Sequence, residues 1–322
     1  MNSVAILVVT YNRKDMLVEN INAILNQSYK EFDYYVIDNA STDGTEDYVK
    51  KIIQSDKRLH YIKLNNNYGG AGGFSFGLNY ALCHNYAYSW IMDDDAIPEA
   101  DALKILVDTA DKLGKDNFSF LASNVLWKDR TPCLMNVCIP SKMDKGNSRQ
   151  KKTDLMSIDY ASFVGCFVNN IIAEKVGLPI SEFFIYMDDI EYTLRLKAEC
   201  QTYFVKDSVI IHKMPVNSNA GIEMASDEKM FRFSCAYRNR VYCYRYRWKM
   251  GEIKILLLYI LESYRVLRVN PDKKWKRIKI IWDGYRSGRK FKPEIQYANE
   301  SRLKQYIQEQ KNSRSKRKCT II

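Results

Sequence analysis

The chain has 322 residues, 46% hydrophobic and 27% charged, so it can bury a sizeable core and is not a disordered polypeptide. Its eight cysteines include no CxxC pair or other zinc spacing, which excludes a zinc module and favours reduced thiols in a cytoplasmic compartment. The net charge of +11 is uneven, since residues 230–322 hold 25 Lys and Arg against 7 Asp and Glu, whereas residues 1–229 carry a net charge of −7.

The chain begins with a strand, helix and strand. Val4 to Val9 is an uninterrupted apolar run, typical of a strand buried on both faces of a parallel sheet, and it is too short for an export signal. Thr10-Tyr11-Asn12-Arg13 follows, and apolar residues then recur at helical spacing from Met16 to Leu25. A second apolar run, Tyr34 to Ile37, ends at Asp38 and a polar turn. This pattern predicts a βαβ unit, which binds ligands at the carboxyl ends of its strands.

A glycine-rich segment comes next, at the start of a predicted helix through Leu78 and Ala81. Asn67 to Phe74 contains four glycines within five residues. Glycine lets the backbone approach a ligand closely, and amide groups at a helix start can face phosphate. A flexible turn is the alternative interpretation of this segment.

An apolar run from Ser89 to Met92 ends in three carboxylates, Asp93, Asp94 and Asp95. Alternate side chains of a strand lie on one face, so Asp93 and Asp95 point the same way if the strand continues through them. Two carboxylates on one side offer oxygen ligands to a divalent cation. The alternative is a solvated acidic turn before a helix that starts at Pro98.

The segment from residue 128 to residue 213 contains a polar stretch, a buried strand, an acidic helix start and a strand that carries a histidine. Residues 128–157 are polar and predict an exposed loop, and Phe163 to Val168 predicts a buried strand. Asp188 and Glu191 have the spacing of a capping box, which gives Asp188 the role of helix cap and leaves Asp189 in the first turn. The strand Val209 to Lys213 carries His212, which is either structural or a third metal ligand with Asp93 and Asp95.

Taken together, these segments resemble a family 2 glycosyltransferase with the GT-A fold. The resemblance rests on Thr10 to Arg13, Asp38 to Thr45, Asn67 to Phe74, Asp93 to Asp95, Val176 to Pro179 and Phe183 to Glu191. It covers residues 4 to about 215 and is strongest for the galactofuranosyltransferase and rhamnosyltransferase branch that builds bacterial polysaccharides. The chain departs from the family pattern in its longer acidic motif and in having Asp188-Asp189 in place of Glu-Asp.

The resemblance implies an α/β fold with two regions. Residues 1–228 would form the GT-A catalytic domain, a Rossmann-like nucleotide-binding sheet with flanking helices. Residues 229–322 would form a basic helical C-terminal region. The implied activity is inverting, metal-dependent transfer of galactofuranose from UDP-galactofuranose to a polyprenyl-linked glycan acceptor of a bacterial surface polysaccharide. Transfer of rhamnose from dTDP-rhamnose is the alternative, as is a catalytically inactive nucleotide- or glycan-binding protein of the same fold.

The resemblance also implies a role for each site residue. Asp93, Asp95 and His212 would hold Mn²⁺ or Mg²⁺, and Asp189 would remove the proton from the acceptor hydroxyl, with Asp188 competing for that role. Around the nucleotide sugar, Asp38 and Asn67 would bind the nucleoside, Thr10 would line its pocket, Arg13 would lie near ribose or phosphate, and Asp94 would reach the sugar or ribose if the chain turns there.

The basic C-terminal region predicts a membrane surface as partner. Phe231 to Trp248 interleaves seven aromatic residues with arginines, and Ile253 to Leu261 is the most apolar stretch of the chain. Because a bilayer span needs about 20 apolar residues, we expect peripheral association with anionic lipid at the inner face of the cytoplasmic membrane. A helical packing or homo-oligomer surface is the alternative, and no recognised motif supports nucleic acid. Cys319 to Ile322 looks like a prenylation box and is interpreted as chance.

Overall fold

The structure is a computed structural model that describes residues 3–141, 155–218, 221–247 and 249–313. Most of the lysine-rich part of the predicted exposed loop, residues 142–154, lies outside the described residues, as does the terminal Cys319 to Ile322. The seven cysteines of the described part are free thiols, as the spacing predicts.

One mixed sheet organises the described chain. Its strands are β1 (Val4–Thr10), β2 (Phe32–Asp38), β3 (Leu59–Lys63), β4 (Tyr88–Asp93), β5 (Ala96–Pro98), β6 (Phe120–Trp127), β7 (Met156–Ser157), β8 (Cys166–Asn169) and β9 (Thr202–His212). Their order in the sheet is β3-β2-β1-β4-β8-β6-β9-β5, with β7 paired to β9. The strands β1, β2, β3 and β4 run parallel, whereas β8 is antiparallel to both of its neighbours.

Helices cover both faces of this sheet, and the sequence of β1 reflects this. Val4, Ile6 and Val8 pack into one core, whereas Ala5 and Leu7 pack into the other. A strand buried on both faces needs apolar side chains at every position, which confirms the prediction from its uninterrupted apolar run. The helices of this part are α1 (Lys14–Leu25), α2 (Thr45–Ile53), α3 (Gly69–Cys83), α4 (Ala102–Leu113), α5 (Asn170–Val176) and α6 (Asp188–Glu199).

The register brings the ends of the parallel strands to one edge. Thr10 pairs with Asp38, and Val9 pairs with Asp93 on the other side of β1. The predicted α/β architecture is therefore confirmed, with the polar ends of β1, β2 and β4 adjacent. The helix predicted from Pro98 is wrong, because Pro98 ends the short strand β5 and α4 begins at Ala102.

A helical region follows the sheet, as predicted. It consists of α7 (Met230–Arg247), α8 (Gly251–Val269), α9 (Lys274–Lys290) and α10 (Glu300–Ser313). The first three share a core that includes Tyr237, Ile255, Tyr259 and Ile281. The last returns to the sheet domain, where Leu303 is buried against α3 and its neighbours. The boundary between residues 228 and 229 stays a prediction.

Across the described residues, every helix is too short or too polar to cross a membrane.

Candidate active site

The acidic motif at the end of β4 folds into a tight turn. The strand stops at Asp93, residues 94 and 95 form the turn, and β5 starts at Ala96. The expectation that one continuous strand aligns Asp93 with Asp95 is therefore wrong. The turn itself brings the chain back, and Ala96 pairs with His212 at the end of β9.

This pairing gathers three potential metal ligands. Asp93, Asp95 and His212 each offer an atom that lies within 4.8 Å of those of the other two. His212 Nε2 is 3.1 Å from Asp95 Oδ1, and both residues are about 95% buried. Two carboxylate oxygens and an imidazole nitrogen suit a divalent cation such as Mn²⁺ or Mg²⁺. The donor set that the sequence predicts is thus assembled, although by a turn and not by a strand.

The charges of these three groups shift one another's pKa values. Burial lowers the pKa of His212, but the hydrogen bonds to Asp95 and Cys133 and the charges of Asp95 and Asp93 together outweigh it and raise the pKa to about 10. Burial and the charge of Asp95 raise the pKa of Asp93 to about 6. Asp95 is affected by burial in the same direction, yet its contacts with His212 and Arg13 lower its pKa to about 2. A cation bound here would replace the proton of His212 as the partner of the carboxylates.

Asn136 orients the His212 ring, a role that the sequence does not indicate. Its Oδ1 lies 2.9 Å from His212 Nδ1, on the side opposite Asp95. A proton held on Nδ1 by this amide oxygen leaves Nε2 free to bind a metal, which is the usual arrangement for a histidine ligand. Asn136 lies in a loop without periodicity, so no sequence pattern marks it.

The acidic motif also contacts two residues that follow or end β1. These are Arg13 and Thr10, and both bind Asp94. Arg13 Nη1 is 2.9 Å from Asp94, and its Nη2 is 2.7 Å from Asp95 Oδ2. Thr10 Oγ1 donates to Asp94 Oδ2 at 2.8 Å. Burial raises the pKa of Asp94 to about 7 in spite of Arg13. The sequence predicts these three residues at the nucleotide sugar, and the structure joins them through Asp94, with Arg13 also contacting Asp95.

Arg13 also faces solvent, since its side chain is 41% exposed. It lines a pocket of about 340 Å³ together with Asn12, Lys14, Asp15, Met16 and Asp43.

Asp38 and Asn67 hold the loops at the same edge of the sheet. Asp38 is fully buried, with Oδ1 accepting from the Ser41 amide at 2.8 Å and Oδ2 from the Tyr61 hydroxyl. Asn67 Oδ1 accepts from the Gly69 amide at 2.8 Å. Both side chains therefore shape the loops after β2 and before α3.

The glycines of α3 serve packing. A Cβ on Gly69 would lie 2.0 Å from Phe184 O, and one on Gly73 would lie 2.6 Å from Val9 Cγ1. The Ala71 amide donates to Phe184 O at 3.1 Å. The expectation that these amides face a phosphate is wrong for Gly69 and Ala71, because their donors are already paired within the protein.

Asp188 and Asp189 open α6, but not as a capping box. The N-cap is Met187, whose side chain makes no capping hydrogen bond, and Asp189 Oδ1 accepts from the Ile190 amide at 2.7 Å. Glu191 instead pairs with Arg195 at 2.9 Å, and both are buried. The predicted cap role of Asp188 is wrong because the helix begins one residue earlier than the spacing suggests.

Burial controls the protonation of this carboxylate pair. It raises the pKa of Asp188 well above the usual range, with the charge of Asp189 adding to the effect. It also raises the pKa of Asp189 to about 6, and Asp93 contributes to that rise. Asp189 is therefore mostly ionised at neutral pH, although its pKa lies above the usual value in spite of its place at the start of α6. Asp188 is 8% exposed and Asp189 is half-buried, so Asp189 is the more accessible of the two.

Comparison with known proteins agrees with this geometry. Residues 5–163 match the family described as glycosyl transferase family 2. The chain is 24% identical over 209 residues to galactofuranosyltransferase GlfT1 of Mycolicibacterium smegmatis, covering 60% of this chain and 65% of that one. It is 27% identical over 177 residues to the Campylobacter jejuni GalNAc(5)-diNAcBac-PP-undecaprenol beta-1,3-glucosyltransferase, covering 54% of each chain. The chain thus spans less than two thirds of the length of these relatives.

Among solved structures, the mannosyltransferase PcManGT from Pyrobaculum calidifontis, in complex with GDP-Man and Mn²⁺, is similar. The TM-score is 0.51 at 17% sequence identity, and the match covers 91% of this chain and 76% of that one. This likeness confirms the predicted GT-A fold.

Proposed function

We propose that the protein transfers a sugar from a nucleotide-sugar donor to a lipid-linked glycan acceptor, with inversion, because its residues 5–163 match the family described as glycosyl transferase family 2. One observation carries the proposal. Asp93, Asp95 and His212 meet at the carboxyl edge of the sheet, close enough to Asp189 for the charge of Asp93 to raise its pKa. A metal site beside a titratable carboxylate is what displacement of a nucleoside diphosphate requires.

The proposed donor is UDP-galactofuranose, and dTDP-rhamnose is the second candidate. The relative named galactofuranosyltransferase supports the first choice. The relative named for an undecaprenol-linked glycan supports a polyprenyl-linked acceptor belonging to a bacterial surface polysaccharide.

The metal would be Mn²⁺ or Mg²⁺, held by Asp93, Asp95 and His212. When bound, such an ion neutralises the negative charge that builds on the departing diphosphate. Asn136 keeps the His212 ring turned towards Asp95, so the nitrogen ligand is oriented in advance.

Asp189 is the proposed base. Its pKa is raised to about 6, so it is still ionised at neutral pH. A pKa closer to the operating pH makes the carboxylate a more effective general base. Its carboxylate takes the proton of the acceptor hydroxyl as the oxygen attacks the anomeric carbon. The bond from that carbon to the diphosphate breaks on the opposite face, which inverts the configuration.

Arg13 is assigned to the ribose and phosphates, because its partly exposed guanidinium lines the pocket beside the acidic motif. Thr10 and Asp94 keep that guanidinium in place. Asp38 and Asn67 are assigned to the nucleoside, through the loops that they hold.

The activity is tested by incubating the full chain with UDP-galactofuranose or dTDP-rhamnose and polyprenyl-linked acceptors, with Mn²⁺, with Mg²⁺ and with chelator. We expect metal-dependent transfer from the first donor. Nucleotide binding without transfer or donor hydrolysis under any of these conditions would instead favour the inactive binding protein.

Replacing Asp38 with Ala should weaken UDP binding about 10-fold, because the loop after β2 loses the charged acceptor for Ser41 and Tyr61. Calorimetry with UDP measures the effect. The matched control is Asp33→Ala at the other end of β2, which loses the hydrogen bond from Tyr86. Both variants should melt at a lower temperature, but unchanged UDP affinity in Asp38→Ala would refute the nucleoside assignment.

The proposed membrane contact is the outer face of α8. It exposes large apolar side chains at helical spacing, all between 43% and 63% exposed: Ile253, Leu257, Ile260, Leu261, Tyr264 and Leu267. Lys254, Arg268 and Lys276 are exposed on α8 and at the start of α9. Apolar side chains beside lysine and arginine are typical of a helix that lies on anionic lipid.

Sedimentation with vesicles tests this face. The full chain should bind anionic vesicles more strongly than neutral ones, and added salt should weaken the binding. The double variant Leu257→Glu, Leu261→Glu should bind at least about 10-fold more weakly, since each buried leucine is worth about 1.5–3 kcal/mol. Ile171→Glu, at an apolar residue on α5 that is 41% exposed, is the control. Equal binding to both vesicle types would contradict the proposal.

A further inference from the structure

The backbone that leads into α6 is held in an unfavourable conformation. Phe184, Tyr186 and Met187 have φ angles of 65°, 66° and 68°, and none of them is glycine. Left-handed backbone costs an L-residue roughly 1–2 kcal/mol. Three such residues lie within the four that precede Asp188, so neighbouring groups must hold this segment in place.

One side chain of the helical region meets three carbonyls of that segment. Asn239 on α7 is fully buried. Its Nδ2 donates to Phe183 O at 2.9 Å, to Ile185 O at 3.1 Å and to Tyr186 O at 2.9 Å. Its Oδ1 in turn accepts from Arg238 Nε at 3.0 Å. The hydrogen bond from Arg238 therefore fixes the orientation of the Asn239 amide, and its N–H groups point at the strained backbone.

Other contacts complete the support. Arg238 Nη2 donates to Glu182 O at 2.6 Å, and its guanidinium lies 4.3 Å from the centre of the Phe291 ring. On the opposite side, Phe184 O accepts from the Ala71 amide at the start of α3. The segment is thus fixed between the glycine-rich end of α3 and the side chains of α7.

We propose that Asn239 is a positioning residue for Asp189, and that it acts by holding the carbonyls of residues 183, 185 and 186. The inference rests on the proposed function of Asp189 as the base. The three hydrogen bonds from Asn239 fix the backbone directly before α6. The conformation of this backbone sets the direction in which α6 starts, and therefore the position of the Asp189 carboxylate. Without the amide, the segment relaxes towards ordinary φ values and the carboxylate moves away from the acceptor hydroxyl. A misplacement of about 1 Å can cost roughly 100-fold in rate.

The test uses Asn239→Leu, which keeps most of the volume and removes the donors. We expect kcat to fall roughly 10- to 100-fold, while KM for the donor and the affinities for UDP and Mn²⁺ stay unchanged. Hydrogen exchange of amides 183–189, followed by mass spectrometry, should accelerate. Asn239→Ser keeps one donor, and we expect it to give a smaller loss, which covers the case in which the leucine variant does not fold.

Asn169→Leu is the matched control. Asn169 is also fully buried, and its Nδ2 donates to Lys115 O at 2.6 Å and Phe118 O at 2.9 Å, at the end of β8 that pairs with the start of β4. It should lower the melting temperature without changing kcat. If Asn239→Leu and Asn169→Leu at matched stability have the same kcat, the positioning role is refuted.

A double variant separates positioning through Asp189 from any other role. In an Asp189→Asn background, Asn239→Leu should no longer lower the residual transfer rate, because the group it positions is already gone. An equal loss in both backgrounds would overturn the proposal. A wild type that transfers no sugar would refute the proposed function instead, whereas hydrogen exchange would still decide whether Asn239 holds the segment.

Discussion

Asp189→Asn should lower sugar transfer by about 10²- to 10⁴-fold, the usual contribution of a general base. Asn has nearly the same size but cannot take a proton. Asp189 lies at the start of α6, half-buried, with a pKa near 6 and within reach of the charge of Asp93. Turnover is measured beside UDP and Mn²⁺ affinity, and we expect both affinities to stay unchanged.

The adjacent carboxylate supplies the control. Asp188 is 8% exposed and its pKa is raised well above the usual range, so a neutral Asn at this position replaces a group that is itself readily protonated. Asp188→Asn should therefore retain most of the activity. If Asp188→Asn abolishes transfer while Asp189→Asn remains near wild type, the two roles are reversed.

The pH dependence adds an independent check. A base must be unprotonated to act, so the rate should fall about tenfold per pH unit below its pKa. Since Asp93 helps to raise the pKa of Asp189, a cation held by Asp93 will lower it. We expect the acid limb of the wild type at or below pH 6, and no such limb in Asp189→Asn.

Replacing a proposed metal ligand is the second change for which we expect a large loss of sugar transfer. Asp93→Ala, Asp95→Ala and His212→Ala should each lower transfer by at least about 100-fold and weaken Mn²⁺-dependent donor binding, because charge stabilisation by a metal is worth several kcal/mol. Calorimetry with Mn²⁺ and UDP measures the binding, and treatment with chelator should reproduce the loss in the wild type.

His60→Ala is the matched control for this series. His60 also pairs with an aspartate, its Nε2 lying 3.2 Å from Asp33 Oδ1, but it belongs to β3 and is not part of the cluster. This variant should keep its metal-dependent activity. Full activity of the chelator-treated wild type would refute the metal assignment.

The sequence predicts the sheet well because its signals are local. A run such as Val4 to Val9 indicates a strand buried on both faces, and the polar residues that follow such runs mark the binding edge. His212 could be linked to Asp93 and Asp95 for the same reason, since each stands at or just beyond a strand end.

The errors arise where distant contacts decide the local structure. Spacing alone cannot locate the start of α6, because the left-handed Met187 places the N-cap one residue before Asp188. Gly69 and Gly73 of α3 leave room for Phe184 and Val9, which are far away in sequence. Asn239 lies 53 to 56 residues from the carbonyls it contacts, and nothing within the aromatic and basic run around it marks its role.

The contact between Asn239 and the segment before α6 bears on how this protein could be divided or recombined. The match to the family model covers residues 5–163, yet the proposed base, the proposed histidine ligand and the supporting amide lie beyond it. A truncation at residue 228 would retain Asp93, Asp189 and His212 but lose Asn239 with α7. Exchanging the C-terminal helices between relatives would similarly replace the proposed support of Asp189, so we expect a functional chimera to need this amide.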